Sequence, residues 1–354
     1  MTQILEVDGL SVAAGPAADP AADPAADPAA DWVPLVHDVS FRLSAGEALA
    51  LVGESGSGKS MTALALLGLL PRGVAVTAGS VRLLEPGDRP PLDLVTAGTR
   101  TLADVRGRRV AMVFQDPMAS LNPSITVGEQ IAEVLRRHLG TGRAAAARQA
   151  VDLLGAVGIK EPGRRAGDYP HTFSGGMRQR AVIAMALACE PAVLIADEPT
   201  TALDVTIQAQ ILDLLVRMQD ELGMAMLLVT HDLGVVAGTC HRLAVMYAGR
   251  LVEEGGVGEV FDDPAHPYTA ALLAAAPENA MRGRKPRAIP GAVPAPGEPP
   301  PGCAFSSRCA HTRPDPCDSA PVELVRTGAR SVRCARSTEL RRLGGLRRPA
   351  EATP

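Results

Sequence analysis

The chain has 354 residues, of which 46% are apolar and only 3% are aromatic, and its formal net charge is −4. This length fits one large domain, or one domain with an appendage, whose core must be built from Ala, Val, Leu and Ile. A slightly acidic chain offers no electrostatic footprint for DNA or RNA, so no nucleic-acid partner is expected.

The sequence shows no segment that would carry the chain into or across a membrane. Its N-terminus lacks the basic and apolar regions of a signal peptide. Its apolar runs stay far below the ~20 residues of a membrane-spanning helix. We therefore expect a peripheral protein on the cytoplasmic face of the cell membrane, held there by its partners.

Strands and helices alternate along most of the chain. Strands are predicted at 4–7, 35–43, 48–52, 80–84, 109–114, 192–196 and 224–229. Helices are predicted at 59–70, within 126–157, and at 176–188 and 205–222. The strands at 192–196 and 224–229 are apolar throughout, which is typical of strands buried on both faces. The alternation predicts an α/β fold with a mainly parallel sheet covered on both sides.

Three segments depart from this pattern. The Ala-Asp-Pro repeat at 16–31 is predicted to be a disordered surface insertion, with a docking segment as the alternative. Residues 278–302 are rich in proline and are predicted to form an extended linker. Residues 303–354 are predicted to form a small cysteine-bearing module with an arginine-rich tail, which is either solvated or in contact with anionic lipid or a permease.

A glycine-rich loop, GESGSGKS, spans residues 53–60 between a predicted strand and a predicted helix. This is the context of a P-loop, in which backbone N–H groups and a helix N-terminus surround the phosphates of a nucleotide. Lys59 would reach the β- and γ-phosphates, and Ser60 would offer its hydroxyl to Mg²⁺. The predicted nucleotide-binding residues of this loop are Gly53, Ser55, Gly56, Gly58, Lys59, Ser60 and Met61.

Two acidic residues, Asp197 and Glu198, follow the apolar run AVLIA. In open parallel sheets, ligands bind at the carboxyl ends of the strands, where this pair is predicted to lie. Asp197 would hold Mg²⁺ through water, and Glu198 would orient and polarise the water that attacks the γ-phosphate. A solvent-facing acidic pair is the alternative, but it explains neither the following proline nor the TALD sequence at 201–204.

Further motifs follow the P-loop in a fixed order: FQDP at 114–117, FSGGMRQR at 173–180, VLIADEP at 193–199, TALD at 201–204 and LLVTHD at 227–232. In this combination the sequence resembles the ATP-binding-cassette (ABC) ATPases, whose signature FSGGMRQR matches. The resemblance implies Mg²⁺-dependent ATP hydrolysis by a P-loop cassette at 1–277. That cassette would have a mainly parallel sheet, an antiparallel β edge and a helical subdomain at about 115–175.

The resemblance also implies roles for individual residues. Gln115 matches a glutamine that senses Mg²⁺ and water, and His231 matches a histidine that contacts the γ-phosphate. Two cassettes would close around two ATP molecules, so that Asp204 crosses to the partner and the signature binds the partner's γ-phosphate. The implied signature residues are Ser174, Gly175 and Gly176, the catalytic residues are Glu198, His231 and Gln115, and the Mg²⁺ ligands are Ser60, Gln115 and Asp197.

A narrower resemblance rests on FQDPMASLNPSITVGEQ at 114–130, HPYTAALLAAAP at 266–277 and PPGCAFSSRC at 300–309. These segments are similar to the ATP-binding subunits of oligopeptide, dipeptide and nickel importers. The resemblance implies two transmembrane permease subunits and an extracytoplasmic solute-binding protein. It favours a related ATPase as second cassette, with a second copy of this chain as the alternative. An exporter ATPase shares the catalytic residues, and only the region 266–334 argues against it. A non-transport ABC protein is disfavoured, because neither a second cassette nor a long coiled coil is present.

One departure concerns recognition of the adenine ring. The family usually places an aromatic residue shortly after the first strand, whereas this chain has Val12, Ala13 and Ala14 followed by the Ala-Asp-Pro repeat. Trp32, the only tryptophan, either takes over the stacking or is an ordinary loop residue.

Six cysteines are present, and Cys189 and Cys240 are predicted to be packing residues. The other four, Cys303, Cys309, Cys317 and Cys334, cluster in the C-terminal segment. In a reducing cytoplasm such a cluster favours a metal site over disulfides, and the absence of a CxxC pair weakens a zinc ribbon. The resemblance to peptide importers favours a [4Fe–4S] cluster. Zn²⁺ is the second alternative, and four unligated thiols are the third.

Overall fold

The computed structural model describes residues 2–15, 32–84, 90–201, 203–276, 288–297, 301–344 and 346. The Ala-Asp-Pro repeat at 16–31 lies outside the described residues, as do 347–354 of the predicted tail and most of the predicted linker. Within the part that is described, no helix is both long and apolar enough to cross a lipid bilayer.

The strands and helices alternate in the order that the sequence predicts. The strands are β1 (Gln3–Ala14), β2 (Val33–Ser44), β3 (Ala48–Val52), β4 (Val74–Leu83), β5 (Leu92–Asp93), β6 (Val110–Val113), β7 (Val193–Asp197), β8 (Ala225–Thr230), β9 (Arg242–Tyr247), β10 (Arg250–Gly256), β11 (Val325–Thr327) and β12 (Arg330–Val332). The helices are α1 (Lys59–Leu66), α2 (Thr99–Val105), α3 (Pro117–Ser120), α4 (Val127–Leu139), α5 (Arg143–Ala156), α6 (Pro162–Arg165), α7 (Gly175–Leu187), α8 (Val205–Leu222), α9 (Leu233–Thr239), α10 (Val257–Asp262), α11 (Pro267–Ala275), α12 (Pro314–Cys317) and α13 (Ser337–Arg342).

Two predictions are confirmed to the residue, and two differ for a local reason. Strand β3 and helix α8 have the predicted bounds. Strand β1 runs on through Gly9, whose N–H is donated to the hydroxyl of Ser40, so this glycine does not end the strand. Helix α1 ends at Leu66 and not near residue 70, because Gly68 adopts a positive φ of 60°.

Contacts divide the chain into two units, of which the first comprises Met1–Leu5, Leu43–Ala48 and Leu83–Val229. In this unit β6 pairs with β7 and β7 with β8, all in parallel. Strand β7 is buried at every residue, as expected for a parallel strand that is covered on both faces. Helices α4, α5 and α7 pack on one another, and α7 also contacts α8 and β6.

The second unit comprises Glu6–Arg42, Leu49–Arg82 and Thr230–Pro354. Here β3 and β9 are parallel, whereas β9, β10, β12 and β11 follow one another in antiparallel pairs. Strands β2, β1 and β4 form a further sheet in that order. The core of this unit is apolar and contains Tyr247, Tyr268 and Phe305 among its buried residues.

The C-terminal segment builds on this second core. Strand β12 pairs with β10 through Glu253↔Val332 and Glu254↔Ser331, and Phe305 is only 2% exposed. The segment thus gains its order from a sheet and a core formed by earlier parts of the chain. The predicted divisions at residues 277 and 302 remain predictions.

A buried ion pair fixes β12 in place. The side chain of Glu253 is completely buried, and its carboxylate lies 3.0 Å from the Arg330 guanidinium, which is 9% exposed. The same carboxylate accepts the backbone N–H groups of Ala265 and His266, each at 2.9 Å. Arg330 also donates to the carbonyl oxygens of Glu259 and Asp263.

Replacing Arg330 with Met would keep the apolar stem but leave the Glu253 carboxylate buried without its cation. We expect Arg330→Met to lower the free energy of unfolding by about 3–5 kcal/mol, the usual cost of breaking a buried pair from one side. Urea denaturation followed by circular dichroism measures the change. The control is Arg326→Met, since Arg326 is exposed and donates to the carbonyl of Gly328 in its own turn. Equal stability of the two variants would contradict the assigned role of the pair.

Candidate functional site

The loop at 53–60 lies between β3 and α1, as the sequence predicts, and its shape depends on glycine. A Cβ atom on Gly53 would lie 2.2 Å from the carbonyl oxygen of Met246 in β9, so no side chain fits there. Gly56 has a positive φ of 77°, a conformation that L-residues with a side chain rarely adopt. The backbone therefore curls tightly at the carboxyl end of β3, where parallel sheets bind ligands.

Lys59 is held inside this loop. Its side chain is nearly buried, and its ammonium donates to the carbonyl oxygens of Gly53 at 2.8 Å and Glu54 at 2.9 Å. Ser60 follows it in the first turn of α1, beside the partial positive charge of the helix N-terminus. The loop thus presents the Lys59 ammonium, the Ser60 hydroxyl and the N-terminus of α1 in succession. This arrangement suits the phosphates of a nucleotide together with a bound metal ion.

Sequence reasoning missed two neighbours of this loop, Tyr268 and Arg308. The Tyr268 hydroxyl accepts the backbone N–H of Glu54 at 2.9 Å. The Arg308 guanidinium forms two bonds to the Glu54 carboxylate, at 2.7 and 3.1 Å. One signal could have pointed to a partner: a negative side chain in a loop that binds anions calls for a nearby cation.

The predicted acidic pair ends β7. Asp197 is its last residue and is 6% exposed. Glu198 has a positive φ of 47°, and its N–H is donated to the carbonyl of Val229 at 2.9 Å. One carboxylate oxygen, Oε2, accepts from Gln115 Nε2 and from the Thr201 hydroxyl, both at 2.9 Å. Side chains from two other motifs, FQDP and TALD, therefore converge on the Glu198 carboxylate, and Thr201 is a contact that sequence reasoning did not assign.

The signature residues begin helix α7. The Ser174 hydroxyl caps this helix by accepting the N–H of Met177 at 3.3 Å. The Asp204 carboxylate caps α8 in the same way, accepting from Ile207 at 3.0 Å. A Cβ atom on Gly176 would lie 2.7 Å from Cγ2 of Ile207, so the starts of α7 and α8 approach closely. The structure thus brings the signature and Asp204 together at two adjacent helix N-termini, which favour anions.

His231 follows β8 and is exposed. The next residue, Asp232, donates its backbone N–H to the Thr230 hydroxyl at 3.0 Å and caps α9 by accepting the N–H of Gly234 at 2.9 Å. These bonds fix the backbone on both sides of the imidazole. Gln115, Asp197, Glu198 and the signature belong to the first unit, whereas His231 and the P-loop belong to the second.

The four C-terminal cysteines line a single cavity, together with His266. All six cysteines of the chain lie among the described residues, and none forms a disulfide. Burial raises the pKa of the Cys303 and Cys309 thiols, and it raises the pKa of Cys334 to about 12. Over the described ranges, no three His, Cys, Asp or Glu side chains converge closely enough to hold one metal ion.

Trp32 immediately precedes strand β2 in the second unit, and its ring lies against Gly15. A Cβ atom on Gly15 would come within 3.1 Å of the ring atom Cζ2. The tryptophan therefore packs beside the end of β1, where the sequence lacks the expected aromatic residue. Stacking of Trp32 on adenine stays a prediction.

Two family models match the chain. The model described as ABC transporter matches residues 36–201, and the model described as the C-terminal region of oligopeptide/dipeptide transporters matches residues 252–317. A Brucella melitensis protein named a peptide import ATP-binding protein is 55% identical over 282 residues, which cover 78% of this chain and 83% of that protein. A Sinorhizobium fredii protein named a peptide ABC transporter ATP-binding protein is 50% identical over 304 residues, which cover 85% of this chain and 89% of that protein.

Solved structures share the fold. A dimeric ATP-binding cassette in a post-hydrolysis state, bound to ADP and Pi, has a TM-score of 0.59 at 25% identity and covers 72% of this chain and 99% of its own. The cbiO1 protein of Clostridium perfringens, part of the ABC transporter complex cbiONQ, has a TM-score of 0.57 at 27% identity. The match covers 74% of this chain and 91% of cbiO1.

The geometry of the loop makes two glycines respond differently to substitution. Gly53→Ala would force a Cβ against the backbone oxygen of Met246, which cannot move aside, at a cost of about 3 kcal/mol or more. Gly56→Ala meets no atom within 4 Å and suffers only the strain of its positive φ, about 1–2 kcal/mol. Thermal denaturation and binding of a fluorescent ADP analogue compare the variants. A Gly53→Ala protein as stable as Gly56→Ala would contradict the close approach to Met246.

Proposed function

The chain belongs to the family of ABC transporter ATP-binding proteins, and we propose that it hydrolyses ATP to drive the uptake of peptides. The observation that carries this proposal is the convergence of Gln115 and Thr201 on the Glu198 carboxylate, next to the buried Asp197. The direction of transport and the class of solute rest on the C-terminal match and on relatives named for peptide import. Nickel chelates and related solutes fit the same subfamily.

Binding of ATP starts at the P-loop. The Lys59 ammonium exchanges the carbonyl oxygens of Gly53 and Glu54 for the β- and γ-phosphates of the nucleotide. Residues Gly53, Ser55, Gly56, Gly58 and Met61 would contribute backbone groups to nucleotide binding. Ser60, Gln115 and Asp197 carry oxygen atoms of the kind that Mg²⁺ takes and would be its ligands. When it is bound, Mg²⁺ neutralises charge on the phosphate oxygens.

Hydrolysis requires a water aligned with the γ-phosphate. Glu198 orients this water and accepts its proton as general base. Gln115 and Thr201 both bond to Oε2, and these bonds fix the orientation of the carboxylate. His231 contacts the γ-phosphate from a backbone held on both sides by hydrogen bonds of Thr230 and Asp232.

Each ATP site is completed by a second cassette. Ser174, Gly175, Gly176 and Asp204 lie at two adjacent helix N-termini, a location suited to the γ-phosphate that a partner cassette holds. We propose a related ATPase as that partner. Closure of the two cassettes around two ATP molecules is the step that would move the transmembrane subunits.

We propose a groove in the first unit as the docking surface for a permease helix. It has a volume of about 390 Å³ and is lined by residues such as Ile125, Gln130, Val134 and His138. The Gln130 amide bonds to the backbone of Asn122 and Ile125 at 2.9–3.0 Å, which fixes the loop that follows Gln115. Movement of this loop would shift Gln115 and its bond to Glu198. Two permease subunits and an extracytoplasmic solute-binding protein complete the proposed importer, with this chain on the cytoplasmic face.

We propose that the C-terminal cysteines hold a [4Fe–4S] cluster, with a single Zn²⁺ as the alternative. Four thiols without disulfides surround one cavity, which is the donor set that such a cluster takes. A zinc ion needs its ligands within 2.3 Å of one point, and no described group of three converges in that way. Cys303, Cys309, Cys317 and Cys334 would hold the cluster, and the bonds from these thiolates to iron would cross-link a segment with little core of its own.

Removing the general base should separate binding from hydrolysis. We expect Glu198→Gln to bind ATP normally but to hydrolyse it about 10²–10⁴-fold more slowly, because the amide cannot accept a proton. Phosphate release by the reconstituted transporter measures the rate. Glu161→Gln is the matched control, since Glu161 is exposed and forms an ion pair with Arg164 on the surface. Turnover near that of the wild type would remove Glu198 from this role.

Loss of one thiol should abolish metal binding by the cysteine site. We expect Cys309→Ser to contain no iron or zinc when it is purified without oxygen, because a four-thiolate site loses affinity with each ligand. Elemental analysis and acid-labile sulfide assays measure the content. Cys240→Ser is the control, since Cys240 does not line the cavity. Unchanged metal in Cys309→Ser would rule out the four-thiolate site.

A further inference from the structure

Glu54 places a negative charge in the loop that is proposed to bind phosphates. Its negative charge would repel a triphosphate if nothing neutralised it. The structure surrounds it on three sides: its carbonyl accepts from Lys59, its N–H is donated to Tyr268, and its carboxylate pairs with Arg308. The conformation of the P-loop at this point is therefore fixed by residues from distant parts of the sequence.

Arg308 is placed rigidly for this contact. Its side chain is 4% exposed, and it forms a two-pronged bond to the Glu54 carboxylate, 254 positions away in sequence. The guanidinium also donates to the carbonyl of Pro290 at 2.9 Å and lies 5.7 Å from the centroid of the Tyr247 ring. A planar guanidinium bound on several sides is a fixed positive charge, which a flexible surface arginine is not.

Tyr268 holds the other side of Glu54. Its ring packs against Tyr247 at 4.6 Å and against Phe305 at 5.3 Å, so the hydroxyl has little freedom to move. Its backbone N–H is donated to Nδ1 of His266 at 3.0 Å, which caps helix α11. The hydroxyl that accepts from the P-loop is thus set by the packing of the aromatic cluster.

The two residues that contact Glu54, Arg308 and Tyr268, both lie close in sequence to residues that line the cysteine cavity. Phe305 and Arg308 lie in the turn between Cys303 and Cys309, two of the cysteines that line it. His266 lines the same cavity and begins the helix that carries Tyr268. Arg308 and Tyr268 are thus each connected through short stretches of backbone to residues that line the cysteine cavity.

We propose that Arg308 and Tyr268 are positioning residues for the P-loop, and that the cysteine segment sets the affinity for nucleotide through them. Arg308 neutralises Glu54, and Tyr268 fixes its peptide N–H. The inference rests on the proposed function in that the P-loop must bind ATP. Since coupling between two sites is reciprocal, bound nucleotide must also stabilise the turn at 303–309.

Nucleotide affinity of the full-length chain, measured by isothermal titration with Mg²⁺-ADP, tests the two contacts. We expect Arg308→Gln to raise the Kd by about 5- to 50-fold, within the usual range of coupling between sites. Tyr268→Phe removes one hydroxyl without changing shape and should raise the Kd by about 2- to 10-fold, as for one neutral hydrogen bond. The conservative Arg308→Lys keeps the charge and should restore part of the loss. Arg326→Gln is the control and should bind as the wild type does.

A double-mutant comparison separates positioning from a general loss of structure. If Arg308 acts through Glu54, Arg308→Gln should change the Kd less than about twofold when Glu54 is already Gln, because no charge remains to be neutralised. An equal loss in both backgrounds, or an unchanged Kd in Arg308→Gln, would overturn the inference. Should Arg308→Gln fail to fold, an unchanged Kd in Tyr268→Phe would overturn it. A wild-type chain that binds no nucleotide would overturn the proposed function itself.

Hydrogen exchange tests the reciprocal effect without any assay of turnover. Addition of Mg²⁺-ADP to the wild type should slow amide exchange in a peptide that covers 303–309, and the effect should disappear in the Arg308→Gln, Glu54→Gln double variant. Slowing that persists in the double variant would show that the signal travels by another route, and no slowing in the wild type would overturn the coupling.

Discussion

The completely buried carboxylate of Glu253 is the constraint around which the second unit is organised. An ionised carboxylate loses several kcal/mol of hydration on burial, so it must be surrounded by donors. Those donors come from Arg330 in β12 and from the backbone of Ala265 and His266. The Glu253 carboxylate thereby connects strand β10 to the turn before α11 and to strand β12. The position of the His266–Tyr268 turn, and hence of the Tyr268 hydroxyl, follows from this arrangement.

Much of the fold follows from local sequence pattern, because periodicity and capping are local properties. Helix α8 is predicted to the residue, since Asp204 caps its start, a left-handed Gly223 ends it and its apolar face repeats at helical spacing. The pairing of β12 with β10 is not predicted. That contact joins segments about eighty positions apart in sequence, and three-residue strands such as β11 and β12 carry too few side chains for any period to be recognised.

For the candidate site as well, local sequence patterns identify some residues, and long-range contacts determine others. The residues in motifs are identified from sequence, because phosphate binding demands glycines, a lysine and carboxylates at fixed spacing. Arg308 and Tyr268 escape that reasoning although both lie in recognised segments. Their role depends on contacts with Glu54, which is more than 200 positions away in sequence. The local sequence Ser-Ser-Arg-Cys contains no pattern from which that contact could be predicted. The charge of Glu54 was the one local clue.

Glu198 has a strained backbone conformation that hydrogen bonds hold in place. A residue with a side chain at positive φ is held there only when the surrounding bonds outweigh the cost. The backbone bond to Val229 and the side-chain bonds from Gln115 and Thr201 provide that restraint. Because Gln115 also begins the loop that leads to the groove at Ile125 and Gln130, one amide links the carboxylate to the surface proposed for the permease.

The resting position of Lys59 has a consequence for the thermodynamics of nucleotide capture. A free lysine side chain loses up to about 2 kcal/mol of rotational freedom when it is immobilised. Here the carbonyl oxygens of Gly53 and Glu54 already immobilise it. Ordering of this side chain is therefore part of the folding free energy, and the arriving phosphate exchanges one set of oxygen partners for another. The entropy of association at the P-loop should accordingly be dominated by released water and not by the lysine.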